Sequence, residues 1–135
     1  MDNDATMLQF DWEDVEGATI TAVLAEGARS VSDGSLMCAE IGLVVGAKVV
    51  VIRVNDDTDE LIVTHQDFAT SGTAWQPLDQ LEELVSRTLG WCWIGRNYRG
   101  YLDTFTLALD GIDPAYSFTG LASSIQCARV TPIRA

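Results

Sequence analysis

The chain has 135 residues, of which 47% are apolar and 21% are charged, as is typical of one globular domain and unlike a disordered chain. Its formal net charge of −12 disfavours binding to nucleic acid and to anionic lipid. No apolar run reaches the roughly 18 residues that a membrane-spanning helix needs. We therefore expect a single domain over residues 1–135 that binds neither nucleic acid nor a membrane.

The acidic residues and the cysteines indicate a compartment and a partner. Residues 1–60 contain thirteen acidic and three basic residues, whereas residues 61–135 contain seven and five. The first sixteen residues include six acids and no base, unlike a secretory leader, and the three cysteines are odd in number and widely spaced. We expect a cytoplasmic protein without a disulfide framework, whose acidic surface favours a basic protein partner.

Two segments of the first third are predicted strands. Residues 17–25 alternate between two faces with a period of two. Residues 36–45 fit either a buried strand or a short helix, and we predict a strand because Gly42 and Gly46 weaken a helix. A turn at residues 30–35 separates the two segments.

A β-hairpin is predicted next. Residues 48–54 and residues 61–65 are both rich in β-branched side chains, and the acidic turn (residues 55–60) joins them. Because a short turn joins the two strands, they must run antiparallel.

The acidic turn resembles the beginning of a calcium-binding EF-hand loop. Such a loop needs glycine at its sixth position and a bidentate glutamate at its twelfth, where this chain has Glu60 and Gln66. We therefore predict a solvated hairpin tip and no metal site.

One helix is predicted, over residues 77–89, after a loop at residues 70–73. Pro77 suits the first helical position, acidic residues follow it, and Gly90 supplies a stop. An apolar stripe runs along the segment at helical spacing: Leu78, Leu81, Leu84, Val85 and Leu89.

Three further strands are predicted, at residues 91–94, 101–109 and 123–130, with turns at residues 95–100 and 110–114. The predicted fold class is thus α+β. We expect an antiparallel, meandering sheet of five to seven strands packed against the helix at residues 77–89.

The residue types that catalysis commonly uses are sparse. His65 is the single histidine, so no site with two imidazoles can form within one chain. A couple of His65 with one of the cysteines stays open, although no spacing supports it, and cysteines on strands are usually small core residues. We predict no catalytic residue and no cofactor, and we lean towards a protein that is not an enzyme.

The most unusual segment is residues 91–103, which holds two of the four tryptophans and two of the three tyrosines. Trp91 and Trp93 share one strand face, which is either a core block or a recognition surface, and we predict the core. We expect Trp93, Tyr101 and Asp103 to lie close together. If the segment binds a partner or ligand, the candidate residues are Trp93, Arg96, Asn97, Tyr98, Arg99, Tyr101 and Asp103. Asn97 has a second interpretation as a left-handed turn residue, and Asp103 as an anchor for an arginine.

These residues also carry a resemblance to a family. The spacing Trp93-x3-Asn97-x2-Gly100-Tyr101-x-Asp103-x3-Leu107, which follows Asp57-x-Asp59-Glu60-Leu61, resembles small uncharacterised bacterial domains of unknown function over roughly residues 45–110. The resemblance implies a compact α+β unit and transfers no catalytic residue. Some of those domains are similar in size and acidity to toxin-neutralising immunity proteins.

Three functional classes follow from these features. The first is a non-enzymatic protein-interaction module with an acidic surface, with an immunity-like role as its sharpest form. The second is a small-molecule-binding, anion-binding or enzymatic domain, in which the hairpin at residues 91–103 lines a pocket and Arg96 or Arg99 holds an anion. The third is a homodimer that pairs through an exposed strand edge, so the chain is expected to be a monomer or a homodimer.

Overall fold

A computed structural model describes residues 6–68 and 74–133. Within those ranges the chain forms eleven strands and two 3₁₀ segments, Trp12–Asp14 and Asp79–Leu84. The strands are β1 (Ala22–Glu26), β2 (Arg29–Ser30), β3 (Leu36–Cys38), β4 (Glu40–Val45), β5 (Lys48–Val54), β6 (Leu61–Asp67), β7 (Gln76–Pro77), β8 (Leu89–Arg96), β9 (Leu102–Leu109), β10 (Pro114–Leu121) and β11 (Ser124–Arg129).

The strands form two antiparallel sheets. One has the order β6-β5-β4-β1-β7 and the other the order β2-β3-β11-β10-β9-β8. A single buried cluster contains inward side chains of both, among them Ile41 and Ile52 from the first sheet and Phe105 and Phe118 from the second. The two sheets therefore pack face to face around a shared core, which buries the apolar face of each.

The predicted α+β class is wrong, because the longest helical segment of the described residues is the six-residue 3₁₀ turn at Asp79–Leu84. No helix of the described residues is long and apolar enough to cross a membrane. Pro77 pairs with Leu24 in a strand, and Ser86 has a φ of 78°, which interrupts any helix. The backbone N–H of Leu78 donates to the carbonyl of Val23 in β1, and that of Leu89 donates to the carbonyl of Ala18. Neither hydrogen bond belongs to a helix.

The predicted apolar stripe is nevertheless buried. Leu78, Leu81, Leu84 and Leu89 are all at most 4% exposed. Their three-residue spacing also fits a 3₁₀ turn followed by an extended chain, so the burial was recognisable from the sequence while the helix type was not.

Several predicted strands are confirmed. β5 and β6 form the predicted hairpin, with Val54 paired to Leu61 across the acidic turn. The predicted strand at residues 36–45 is two strands in different sheets, because the chain crosses between the sheets at Ala39. The first predicted strand begins only at Ala22, and β10 was not predicted. The predicted loop at residues 70–73 lies outside the described residues.

A tryptophan covers the outer face of the five-stranded sheet. Trp75 packs on Val44, Val49 and Val51, which form a second, smaller apolar cluster. Its indole Nε1 donates to Glu40 over 2.8 Å, which fixes the ring in place. β5, the second strand of this sheet, is therefore buried on both faces.

Candidate functional site

The unusual segment forms the hairpin of β8 and β9. Trp93 lies opposite Thr106, Gly95 opposite Thr104, and Arg96 opposite Leu102, with irregularities near both ends of the pairing. The hairpin predicted at these residues is thus confirmed, and all seven candidate residues lie on it. Trp93 does not pair with Tyr101, however, because the strands pair as far as Arg96 and Leu102, so the turn lies at residues 97–101, later than the predicted turn at residues 95–100.

Asn97 and Asp103 hold the turn of this hairpin together. The side-chain oxygen of Asn97 accepts from the backbone N–H groups of Arg99 over 2.9 Å and of Tyr101 over 3.2 Å. The amide nitrogen of Asn97 donates to Asp103 over 3.1 Å. The left-handed position belongs to Gly100, with a φ of 92°, and not to Asn97. Asp103 therefore accepts a hydrogen bond from the side-chain amide of Asn97. An arginine was the partner that one interpretation of Asp103 had predicted.

The two arginines lie at the tip. Arg96 donates through Nη1 to the carbonyl of Gly100 over 2.7 Å, and the guanidinium of Arg99 lies 5.9 Å from the ring centre of Tyr98. Tyr98 itself is 95% exposed. Neither arginine belongs to an ion pair among the described residues. The hairpin tip is consequently a small basic element on an acidic protein.

The tryptophans lie at the surface, so the prediction that Trp93 belongs to the core is wrong. Trp91 is 52% exposed and Trp93 is 37% exposed. The core positions of this sheet are filled by Phe105 and Leu107, which lie opposite Ile94 and Cys92. Because side chains alternate along a strand, Trp93 must then point to the other face.

β8 is also the last strand of its sheet, and the other three edge strands are shorter. Strands β2 and β7 each have two residues, so they offer little backbone to pair with. β6 has seven residues, and the amino-terminal segment occupies its edge at Val63, which accepts from Gln9 over 2.9 Å and donates to Met7 over 2.9 Å. β8 has eight residues, among them exposed Trp91, Trp93 and Ile94.

Only the beginning of β8 has a neighbour on its outer side. Leu89 pairs with β9 on one side, and on the other its backbone bonds to Gly17 over 2.7 Å and to Ala18 over 2.9 Å. From Cys92 onward, no strand of the described residues pairs with this side. We call this uncovered side of residues 92–96 the β8 edge.

The thiol closest to the β8 edge is not activated. Burial raises the pKa of Cys92 to about 11, and the negative charge of Glu16 contributes to the same increase. The thiol is therefore protonated at neutral pH, which is the opposite of a catalytic nucleophile. His65 lies on the other sheet, where its ring packs 5.2 Å from that of Phe10, and burial lowers the pKa of its imidazole.

The acidic turn connects the two sheets. Asp59 accepts from the backbone N–H of Ser123 over 2.8 Å, and Glu60 accepts from that of Leu102 over 3.0 Å. The carbonyl of Asp59 also approaches the α-carbon of Gly120 so closely that a Cβ there would lie 1.8 Å from it. Asp59 and Glu60, which belong to the sequence pattern of the resemblance, therefore have a structural role that the spacing alone did not show.

None of the seven candidate residues lines the cleft of about 430 Å³ that the described residues form. Its lining belongs to other elements and includes Leu36, Leu81, Tyr116 and Arg129. Arg129 faces Glu83 in a two-fold hydrogen-bonded ion pair of 2.9 and 3.0 Å. Among the described residues, no group of three or more histidine, cysteine or acidic side chains is arranged to hold a metal ion.

Comparison with known proteins agrees with the resemblance noted from the sequence. The model of a family of unknown function, DUF6334, matches residues 1–134. The similarity thus extends beyond the predicted residues 45–110 to nearly the whole chain. No curated protein and no solved structure matches.

Proposed function

Since the chain belongs to DUF6334, a family of unknown function, we propose from its geometry that it is a non-enzymatic protein-interaction module that docks through the β8 edge. One observation carries the proposal: β8 is the longest of the four edge strands, no strand of the described residues pairs with its outer side from Cys92 onward, and it displays Trp91, Trp93 and Ile94. Backbone groups of an edge strand are ready to pair with another strand, and the flanking side chains add affinity.

The position of the aromatic side chains supports docking. Trp91 and Trp93 lie on a strand that already ends its sheet, so a strand added at the β8 edge would cover part of both indoles. Exposed tryptophans are costly in water and are frequent in binding hot spots. The nearby turn is made rigid by Asn97, which lowers the entropy lost on docking.

The charge adds a second contact element. With a net charge of −12, the surface attracts a basic protein at long range and speeds its association. A toxin-neutralising role, in which a basic toxin is held in the cytoplasm, is the sharpest form of this proposal. It rests on the charge and on the analogy in size and acidity.

The anion-binding alternative is less well supported. Arg96 is held by the carbonyl of Gly100, and Asn97 is occupied by the turn. The residues that line the cleft of about 430 Å³ do not include any from the hairpin. Titration of the tryptophan fluorescence with a panel of anionic metabolites tests this class. A saturable change that Arg96→Ala or Arg99→Ala abolishes would favour it over the interaction module.

Affinity capture from a lysate of the source organism tests the proposal. The baits are the wild type, Ile94→Lys on the β8 edge, and Tyr98→Lys as a matched control that adds the same charge at the exposed tip. A specific partner should be captured by the wild type and the control, should be reduced about tenfold or more by Ile94→Lys, and should be released at 0.5 M salt because surface attraction is screened. Equal capture by all three folded baits would overturn the role of the β8 edge.

A further inference from the structure

We infer that the β8 edge pairs with the β8 edge of a second copy of this chain, in an antiparallel, two-fold symmetric dimer. This inference rests on the proposed function and names the occupant of its docking strand. The acidic surface away from β8 then stays available to a basic partner.

The amino-terminal segment limits the extent of the free β8 edge. Residues 16–18 run beside Leu89, because Gly17 and Ala18 bond to its backbone on the side away from β9. A strand added to the β8 edge is therefore confined to the part of β8 that follows this segment. Its end next to Leu89 must meet Glu16, whose charge already acts on Cys92.

The pairing of two β8 edges is symmetric. Two identical edges that pair antiparallel are related by a two-fold axis perpendicular to the sheet, which is the common form of a self-complementary interface. Residues directly opposite each other in such a pair lie on the same face. The register is then centred on one residue, and centring on Trp93 or on Ile94 sets Arg96 opposite Gly90 or Cys92 of the second copy.

The two ends of β8 differ in charge. The far end of β8 carries Arg96 and Arg99, which are in no ion pair among the described residues. The near end lies beside the exposed acids Glu13 and Glu16 of the turn that begins at Trp12, whose indole donates to Gly90 over 2.8 Å. Two-fold pairing brings the basic end of each copy to the acidic end of the other, twice. β8 is therefore complementary to itself in charge as well as in backbone pairing.

The net charge of the whole molecule opposes self-association. Two chains of −12 repel each other at distances beyond the immediate interface. At physiological ionic strength this repulsion is screened beyond about 8 Å, whereas contacts within the interface are screened less. The dimer is thus expected at 0.15 M salt, and the local pairs at the ends of β8 select its register.

Sedimentation velocity at 0.15 M salt over a concentration series tests the inference with two charge-reversed variants. One carries Arg96→Glu and Arg99→Glu, and the other carries Glu13→Lys and Glu16→Lys. Each alone places like charges at both ends of the dimer and should weaken self-association about tenfold or more. An equimolar mixture restores opposite charges at both contacts, so it should form a heterodimer as tight as the wild-type dimer.

The outcomes separate this inference from the proposed function. A wild type that stays monomeric at about 100 μM overturns the dimer, and so does a mixture that behaves as its separate components. If capture of a lysate partner still depends on Ile94 in that case, the interaction module stands without the dimer. Circular dichroism melts of both variants exclude loss of folding, and Tyr98→Ala is the control that should leave the dimer unchanged.

Discussion

The side-chain amide of Asn97 donates to the carboxylate of Asp103 across 3.1 Å, six residues along the chain. The same asparagine accepts two backbone N–H groups of the turn, from Arg99 and Tyr101. The side chains of these two candidate binding residues are thus bonded within the hairpin itself. Their spacing in the sequence therefore indicates a turn that positions β8. The proposed surface for a partner lies on β8 itself.

Removing this connection should destabilise the hairpin. Asn97→Ala deletes one side-chain hydrogen bond and two acceptor contacts, so the free energy of unfolding should fall by about 1–2 kcal/mol. Urea denaturation measures the change, with Arg99→Ala as a control of the same loop. Because Asn97 and Asp103 share one bond, the losses of Asn97→Ala and Asp103→Ala should be less than additive in a double-mutant cycle. Additive losses would show that the two side chains act separately.

The two aromatic positions of the β8–β9 hairpin should differ in stability effect. Trp93 is 37% exposed, so Trp93→Ala should cost only about 1 kcal/mol. Phe105 is 0% exposed, and Phe105→Ala should cost about 3–5 kcal/mol because it leaves a cavity. Guanidinium melts of both variants check the order. A larger loss for Trp93→Ala would place that indole in the core after all.

The outer face of the five-stranded sheet depends on the absence of a side chain at Gly42. A Cβ there would lie 2.9 Å from two carbons of the Trp75 ring and 3.1 Å from a methyl of Val49. Gly42→Ala should therefore cost about 1–3 kcal/mol by displacing the indole. Thermal melts of Gly42→Ala, Trp75→Ala and the double variant test this explanation. If Trp75 is the obstacle, Gly42→Ala should cost much less in the Trp75→Ala background.

The thiol of Cys92 should react slowly. Since its pKa is raised to about 11, alkylation by iodoacetamide at pH 8 should be on the order of a hundredfold slower in the folded protein than in urea. Peptide mass spectrometry assigns the rate to this cysteine. Glu16→Gln should increase the rate modestly, because burial is the larger cause of the shift and remains.

The same shift has a defined effect on stability. Below about pH 8 the thiol is protonated in the folded and the unfolded chain, so it contributes no pH dependence. As the pH rises from about 8.5 towards 11, the unfolded chain loses the proton first, and the free energy of unfolding should fall. Cys92→Ala should remove this part of the alkaline decline. An identical decline in the variant would assign it to other groups.

The second half of the fold shows what pattern reasoning can reach. In β10 the buried residues Tyr116, Phe118 and Gly120 alternate with the half-buried Ser117 and Thr119, a period of two that is visible in the sequence although this strand was not predicted. The helix error has a different origin. Leu81 and Leu84 are spaced for a helix, yet the backbone after them bonds to Ala18 and Ile20, in the distant segment that precedes β1, and no local pattern encodes that pairing.

The candidate site divides in the same way. The hairpin at residues 91–103 was predictable, because Asn97 and Gly100 are turn residues between two apolar runs. Whether Trp93 faces the core was not predictable. Alternation along a strand shows which residues share a face, but which face lies against the core depends on the neighbouring residues that fill the interior. Phe105 and Leu107 fill it here.

The acidic net charge, the β-hairpins with their turns, and the burial of the leucines between Leu78 and Leu89 could be predicted, because charge, turn preference and hydrophobicity are properties of local residues. The partition into two sheets, the strand that lies at each edge, and the exposure of Trp93 could not be predicted from local residues. These depend on which distant segments pair, and pairing between segments is set by the total burial of the whole chain rather than by any one segment.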